Sequence, residues 1–321
     1  MIRILIWSTL FLILLISPFV GAFTLKLGSI FQGNTLDAQI FYELRLPRLF
    51  FAFFAGTILA LGGLIFQTLF RNALMTPYTL GISSGAVLGA GVAIKLGFTS
   101  LIFGIATISI FGFMGAMGTL FLLLFLSYYI KSSQNNSLLL LGIALSLFYT
   151  AALQVIFYLS SSIQNDMLLR FTMGSLSTIG WNTPIFLGVI SLILLLFSYF
   201  YRFDLQLLGI SQESAQLQGV NTKKVTLILL IIASLGVGVL VSLSGTIGFI
   251  GLIVPHIVFK LYPLTIEKRI FKTAFFGGMF LVLCDTLSRI IQTQSELPIG
   301  IVTAIIGGPF FIYLIIKKAT S

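Results

Sequence analysis

Apolar residues run in long blocks along this chain, and polar residues gather in the breaks between them. A helix needs about 20 apolar residues to cross a bilayer. Ten blocks reach or approach that length, at roughly 4–23, 47–70, 78–95, 101–129, 138–159, 184–201, 225–243, 248–262, 272–291 and 299–316. None has the ~10-residue apolar/polar alternation of a membrane β-barrel. The pattern predicts an all-α polytopic membrane protein with about ten transmembrane helices. The third and eighth blocks are short and rich in glycine or proline. The first reads as a span, because no convincing cleavage site follows it and similar segments come after.

The most irregular apolar stretch is Gly245–Lys260, GTIGFIGLIVPHIVFK. Gly245, Gly248 and Gly251 recur at every third position, and Pro255 precedes the one histidine, His256. Broken backbone at membrane depth is tolerated only where protein or a watery path satisfies its polar groups. This stretch is therefore expected at a bend beside a pathway, with the glycines allowing close packing and His256 helping to fix the bend. A weak echo lies in the other half. Met75-Thr-Pro77-Tyr-Thr-Leu and Ile253-Val-Pro255-His-Ile-Val each read as a proline at the start of a short span. Paired interrupted segments in opposite halves are the signature of an inverted repeat with a transport route at its interface. Gly81, Gly85 and Gly89 add a small-residue face suited to tight helix contact. Ser83 and Ser84 beside it offer an alternative, a polar lining.

Three polar breaks carry their own plan. Residues 24–46 end in Arg45-Leu-Pro-Arg48, where Pro47 suits a first helical turn. The two arginines fit either interfacial anchoring or a grip on carboxylates of an external partner. Residues 160–183 hold an amphipathic piece at Met167–Met173, and Trp181 stands where an aromatic-belt residue would. Residues 202–224 are too long for a simple hairpin. Ser211 is placed to cap a short helix with Glu213 in its first turn, Gly219 to end it, and Asn221 to cap a second one leading to Lys223 and Lys224. The expected result is a compact knob for a partner on that side.

Composition narrows the class. The chain has 321 residues, 58% of them hydrophobic and 8% charged, with mean hydropathy +1.13. Soluble domains carry about 25% charge, so this chain belongs in a bilayer. The net charge of +10 reads as loop charge that sets topology, with no nucleic acid partner. Of the 18 Lys+Arg, twelve fall on one side of a ten-span arrangement and six on the other, which puts both termini inside. The single Cys284 excludes an internal disulfide and a cysteine-built zinc site. No GxxxxGK[ST] loop, HExxH or nucleophile–base set occurs, so neither nucleotide hydrolysis nor lipid chemistry by this chain is expected, and no cofactor or metal. Asp285 and Arg289 stand four apart in the ninth block and can pair.

Several ordered motifs together resemble the FecCD-type permeases, the membrane subunits of type II ABC importers for iron–siderophore complexes, haem and cobalamin. They are RLPR at 45–48, GGLIFQTLFRNALMTPYTLGISSGA at 62–86, the loop 205–225, GTIGFIGLIVPH at 245–256 and ELPIGIVTAIIGGPFF at 296–311. The chain departs from the family pattern at Ala73, where Asn-Pro-Leu is usual, and at Phe259, where an arginine commonly follows Pro-His.

The resemblance implies one permease domain over 1–321 in the bacterial inner membrane. Expected partners are a second permease copy or sister chain, two ATP-binding subunits and a periplasmic or lipid-anchored binding protein. Arg45, Arg48 and Arg289 fall where family members meet that binding protein. Ser211, Glu213, Ala215, Gly219, Asn221 and Lys223 fall on the coupling segment that meets the ATPase. Residues 163–176 fall on a short outer gate helix, and Gly81, Gly85, Gly245, Gly248, Gly251, Pro255 and His256 on the pathway or its bends. Iron–siderophore is the expected cargo, with haem or cobalamin as the alternative. An ion-coupled secondary transporter is the reading from a different class, and the shortage of intramembrane acids weighs against it.

Overall fold

The structure is a computed structural model describing residues 12, 14–21, 25–31, 35–98, 100–102, 105–129, 135–262, 265–291 and 297–319. Most of the first apolar block, the basic residues Arg3 and Lys131, and Glu296 lie outside the described residues.

Helices α1 (Leu46–Phe70), α2 (Ile82–Lys95), α3 (Thr107–Tyr129), α4 (Asn135–Leu159), α5 (Ser162–Met173) and α6 (Asn182–Phe200) occupy the first part of the chain. The second part holds α7 (Arg202–Ile210), α8 (Gln212–Leu217), α9 (Thr222–Ser244), α10 (Ile250–Leu261), α11 (Ile266–Ile291) and α12 (Ile299–Ala319). Six helical stretches among the described residues are long and apolar enough to cross a membrane, and α2, α10 and α12 supply shorter apolar ones. Apart from the helices, Leu101–Ile102 and Ile105–Ala106 form a two-stranded antiparallel hairpin. It occupies the start of the fourth apolar block, which is helical only from Thr107.

Helix α1 is the hub. Its 18-residue apolar window is 83% buried inside the protein, against 6% for the window of α4. It can be enclosed on all sides because glycines remove the Cβ wherever a neighbour crosses. A Cβ on Gly56 would lie 2.1 Å from the Gly277 carbonyl oxygen of α11, and one on Gly63 would lie 1.8 Å from that of Gly251 in α10. The same device joins α2 to α3, where a Cβ on Gly85 would lie 2.8 Å from the Gly115 carbonyl and one on Gly89 2.2 Å from that of Phe111. With no hydrophobic driving force between helices in lipid, such close approach is what holds them together. The Gly85 and Gly89 face thus serves packing.

The bundle has two ends. The end bearing Arg48 and Asp285 is termed upper, and the end bearing Arg71 and Arg202 lower. Helix α1 descends and α11 ascends beside it, so their upper ends meet at the Arg48–Asp285 pair. At the lower end of α1, Arg71 adopts a left-handed conformation (φ 50°), and the Asn72 amide bonds back to the Gln67 carbonyl, closing the helix in a Schellman-type turn. The chain then climbs back along α1 until Pro77 lies beside Gly62. Only from Ile82 does α2 resume the crossing. At 14 residues it spans about 21 Å, less than the ~30 Å hydrocarbon core.

The other half repeats this upside down. Helix α9 ascends and ends at Gly245 (φ +69°). Residues 245–249 then dip back, so that Gly251 meets Leu59 and Gly63 midway along α1. From there the 12-residue α10 descends about 18 Å. The inverted arrangement of interrupted segments is present, but its markers differ from expectation. Pro77 precedes α2 by a turn, whereas Pro255 lies inside α10. The break before α10 comes instead from Gly245 and from Phe249, a bulky residue at φ 67°.

Candidate functional site

At the upper end the arginines turn inward. Arg48 donates from Nε and Nη2 to Asp285 Oδ1 at 2.9 and 2.8 Å, and Arg289 Nε lies 3.2 Å from Asp285 Oδ2. Asp285 is 1% exposed. Arg289 also donates to the Val20 carbonyl (2.8 Å) and Ser17 Oγ (2.9 Å), and Arg45 to the Pro18 carbonyl (3.0 Å). The cluster therefore pins the one-turn helix Ser17–Phe19 over α1 and α11. Arg45 and Arg289 are buried, while Arg48 keeps 14% of its side chain open. Arg48 lines a cavity of about 360 Å³ with Arg170 of α5. Arg170 is far more exposed, at 78% of its side chain. Arg170 is one of the six basic residues on the outer side and carries no motif of its own; its position in α5, facing away from buried Leu168, is the signal that marks it.

Midway along the bundle the two interrupted segments touch. The Ile247 amide donates to the Tyr78 hydroxyl at 2.5 Å. Inside the turn that carries Tyr78, Thr76 and Thr79 bond each other's backbone and side chains (2.8–3.3 Å). Backbone groups at membrane depth are thus satisfied locally. On the other side, the linker holds α5. Thr246 Oγ1 donates to the Thr172 carbonyl (2.5 Å), and the Ser175 amide to the Ser244 carbonyl (2.7 Å). Gly245 is required here, since a Cβ would lie 2.1 Å from the Phe171 carbonyl oxygen. Gly248 has open space around it.

Helix α5 begins at Ser162, five residues ahead of the amphipathic piece at Met167–Met173, because the polar residues before that piece form a cap. Ser161 and Gln164 form a reciprocal capping box. Gln164 Nε2 also donates to the Ile94 and Lys95 carbonyls at 3.2 and 3.1 Å, closing the C-terminus of α2. Two cavities, about 570 and 230 Å³, share Tyr78, Thr172 and Thr246. Tyr149, Ser83, Ser84 and Thr150 add hydroxyls to the smaller one, and Phe249, Ile301 and Ile305 add apolar wall to the larger. No charged side chain or histidine is among the residues lining either cavity. Gly81 (φ +81°) lies against Gly142 and Ser146 of α4, below this region.

At the lower end, the knob forms with one change of plan. Ser211 Oγ accepts from the Ser214 amide (2.8 Å), Glu213 sits in the first turn of α8, and Gly219 (φ +84°) follows its end. Asn221 accepts from the Lys224 amide (3.1 Å), but the helix it caps is the long α9. The two short helices are α7 and α8, hinged at Ser211. Ala215 is buried at the hinge, while Glu213, Asn221 and Lys223 are exposed. Leu217 is 90% exposed, an apolar tip that the capping pattern did not single out. Beside the knob, Gln67, Arg71, Gln206, Pro255, His256 and Arg269 are among the residues lining a cavity of about 550 Å³. His256 therefore faces the lower cavity, away from the midplane junction. The Arg269 guanidinium lies 4.6 Å from the Phe259 ring centre, so α11 brings an arginine to the place where the family pattern has one in α10. Asn72 Oδ1 accepts from the Leu74 amide (3.0 Å), an Asx turn that shapes the Asn-Ala-Leu corner without proline. Among the described residues no group of acidic, cysteine and histidine side chains is arranged to hold a metal.

Comparison with known proteins places this geometry. The model of the FecCD transport family matches residues 9–317. An uncharacterized ABC transporter permease protein, YvrB of Bacillus subtilis, is 35% identical over 91% of this chain and 82% of its own length. The hemin transport system permease protein HmuU of Yersinia pestis is 33% identical over 93% and 90%. A solved inward-facing structure, of a transporter assigned to the metal-chelate type, superposes with TM-score 0.83 at 28% identity, covering 97% of this chain and 99% of its own. With nearly the whole length matched and the helical bundle shared, the chain belongs to the FecCD transport family and is an ABC transporter permease.

Proposed function

We propose that this chain is the permease of a type II ABC importer that carries an iron–siderophore complex across the bacterial inner membrane by alternating access. It forms a single permease domain with both termini cytoplasmic. It works with a second permease chain, two ATP-binding subunits beneath α7 and α8, and a substrate-binding protein above. The chain itself performs no covalent chemistry; hydrolysis belongs to the ATP-binding subunits. Gly81, Gly85, Gly245, Gly251 and Pro255 serve the bends and close crossings that let short segments move beside the pathway.

The observation that carries this reading is the wall of the two neighbouring cavities that share Tyr78, Thr172 and Thr246. It is edged by hydroxyls and apolar groups and has no charged group or histidine. Bare ions crossing a membrane need rings of carbonyls or charges to replace their water. A chelate arrives with its metal already coordinated and presents an organic surface, which hydroxyls and apolar side chains suit. The same wall counts against an ion-coupled transporter, whose sites are built from intramembrane acids.

Docking of the binding protein is proposed at the upper cavity. Arg48 and Arg170 are accessible to its carboxylates, and Arg45 and Arg289 support them by holding the Ser17–Phe19 turn. The test of cargo is reconstitution with the ATP-binding subunits and the binding protein, followed by competition. A ferric siderophore should be taken up and should be displaced by excess unlabelled siderophore. Displacement by haem or cobalamin alone transfers the assignment to that chelate.

A further inference from the structure

The hydrogen bonds around α5 close into a circuit. From Tyr78 the chain runs through Gly81 into α2, whose last carbonyls, Ile94 and Lys95, accept from Gln164 at the start of α5. At the other end of α5 the Thr172 carbonyl accepts from Thr246. One residue on, the Ile247 amide returns to the Tyr78 hydroxyl. Helix α5 is thus tied at its N-terminus to the short helix of one half and at its C-terminus to the lead-in of the short helix of the other. The cavity wall of Tyr78, Thr172 and Thr246 lies within this circuit.

Most of the links use backbone carbonyls as acceptors, which any sequence would supply. Tyr78 is different: its acceptor is a side chain. The linker that it holds contains Phe249 at φ 67°, a conformation that costs a bulky residue energy and persists only when its surroundings enforce it. We propose that Tyr78 is a positioning residue for the gate, its hydroxyl bolting the 245–249 linker and, through Thr246, the C-terminal end of α5. Release of this bond lets α5 and the linker move together, while Gln164 keeps α5 hinged on α2. The inference rests on α5 being a gate, as the proposed function has it.

Tyr78→Phe keeps the ring and its packing and removes only the hydroxyl, which faces Ile247 and Ser83. The permease is assembled with its ATP-binding and binding-protein partners in nanodiscs. Two readouts separate the bolt from the gate. Amide hydrogen exchange in peptides covering 162–173 and 245–249 is expected to rise about five-fold, the shift that one lost hydrogen bond of typical strength gives. ATP hydrolysis without binding protein is expected to rise by a similar factor. Tyr199→Phe removes another tyrosine hydroxyl, one that bonds Glu267 at the lower end (3.3 Å), and should leave exchange at 162–173 unchanged. Unchanged exchange in Tyr78→Phe overturns the bolt. An equal rise in Tyr199→Phe overturns it too, since the effect would then be general loosening. Faster exchange with unaltered hydrolysis upholds the bolt and removes the gate role from α5.

Discussion

Arg48 and Asp285 are 237 residues apart in sequence and 2.8 Å apart in the fold. The contact joins the first turn of α1 to the last turns of α11, and Arg289 approaches the same carboxylate from within α11. A carboxylate this buried is stable only while its cations remain, and breaking such a pair from one side typically costs about 3–5 kcal/mol. Asp285→Ala should lower the thermal unfolding midpoint in detergent by a correspondingly large step. Arg48→Lys, which keeps the charge, should lose much less. Equal and small effects would show that the cluster is not what closes the upper end.

Because Arg45 and Arg48 hold internal partners, charge reversal at either would disturb the fold together with any docking. Arg170 offers a cleaner probe, because its ion pair with Asp166 one turn back in α5 (2.9 Å) is itself largely exposed and such pairs contribute little to stability. Arg170→Glu should slow association of the binding protein about ten-fold at low salt and weaken its salt dependence, as loss of a rim charge does. The unfolding midpoint should stay unchanged. Surface plasmon resonance against nanodisc-held permease measures both salt terms.

Two glycines, Gly63 in α1 and Gly248 in the linker before α10, predict opposite outcomes. Gly63→Ala places a methyl 1.8 Å from the Gly251 carbonyl oxygen, whereas Gly248→Ala meets nothing within 4 Å. The first should destabilise by about 1–3 kcal/mol, the usual cost of forcing a packed contact apart. The second should be close to neutral. Differential scanning fluorimetry of the two variants side by side makes the comparison.

At the knob, Ser211→Ala removes the cap of α8 and should cost about 1 kcal/mol of local stability, read as faster amide exchange at 212–217. Glu213→Arg and Leu217→Glu change only exposed groups. Each is expected to reduce binding-protein-stimulated ATP hydrolysis by at least about five-fold, the loss that a contact residue worth about 1 kcal/mol produces. Folding should be unaffected. Stimulated hydrolysis at the normal level in both variants would leave the knob a mere connector.

Much of this was legible along the chain, for identifiable reasons. Long apolar blocks bounded by charge mark helices reliably in lipid, because the backbone has no other way to satisfy its polar groups. Blocks two to ten accordingly reappear as α1–α4, α6 and α9–α12. Cap residues act locally, so Ser211 and Gly219 could be read in place. What Asn221 caps could not, since a cap signal is the same for a short helix and a long one. The proline echo pointed to the right pair of segments through partly the wrong residues: the break before α10 rests on Phe249 in a left-handed conformation, which tertiary packing imposes and no local pattern announces. His256 stood out as the one histidine beside a proline, but its position in the lower cavity depends on how α10 crosses α1 at Gly63. The arginines were visible as a set, while their inward turn depends on Asp285 and on carbonyls of the Ser17–Val20 segment far away in sequence.

The most direct test of the account is uptake into proteoliposomes carrying the permease and its ATP-binding subunits, with binding protein and radio-iron siderophore outside. Accumulation should require enclosed ATP and should continue when ion gradients are collapsed by ionophores. Accumulation driven by an imposed proton or sodium gradient with the permease alone would contradict it.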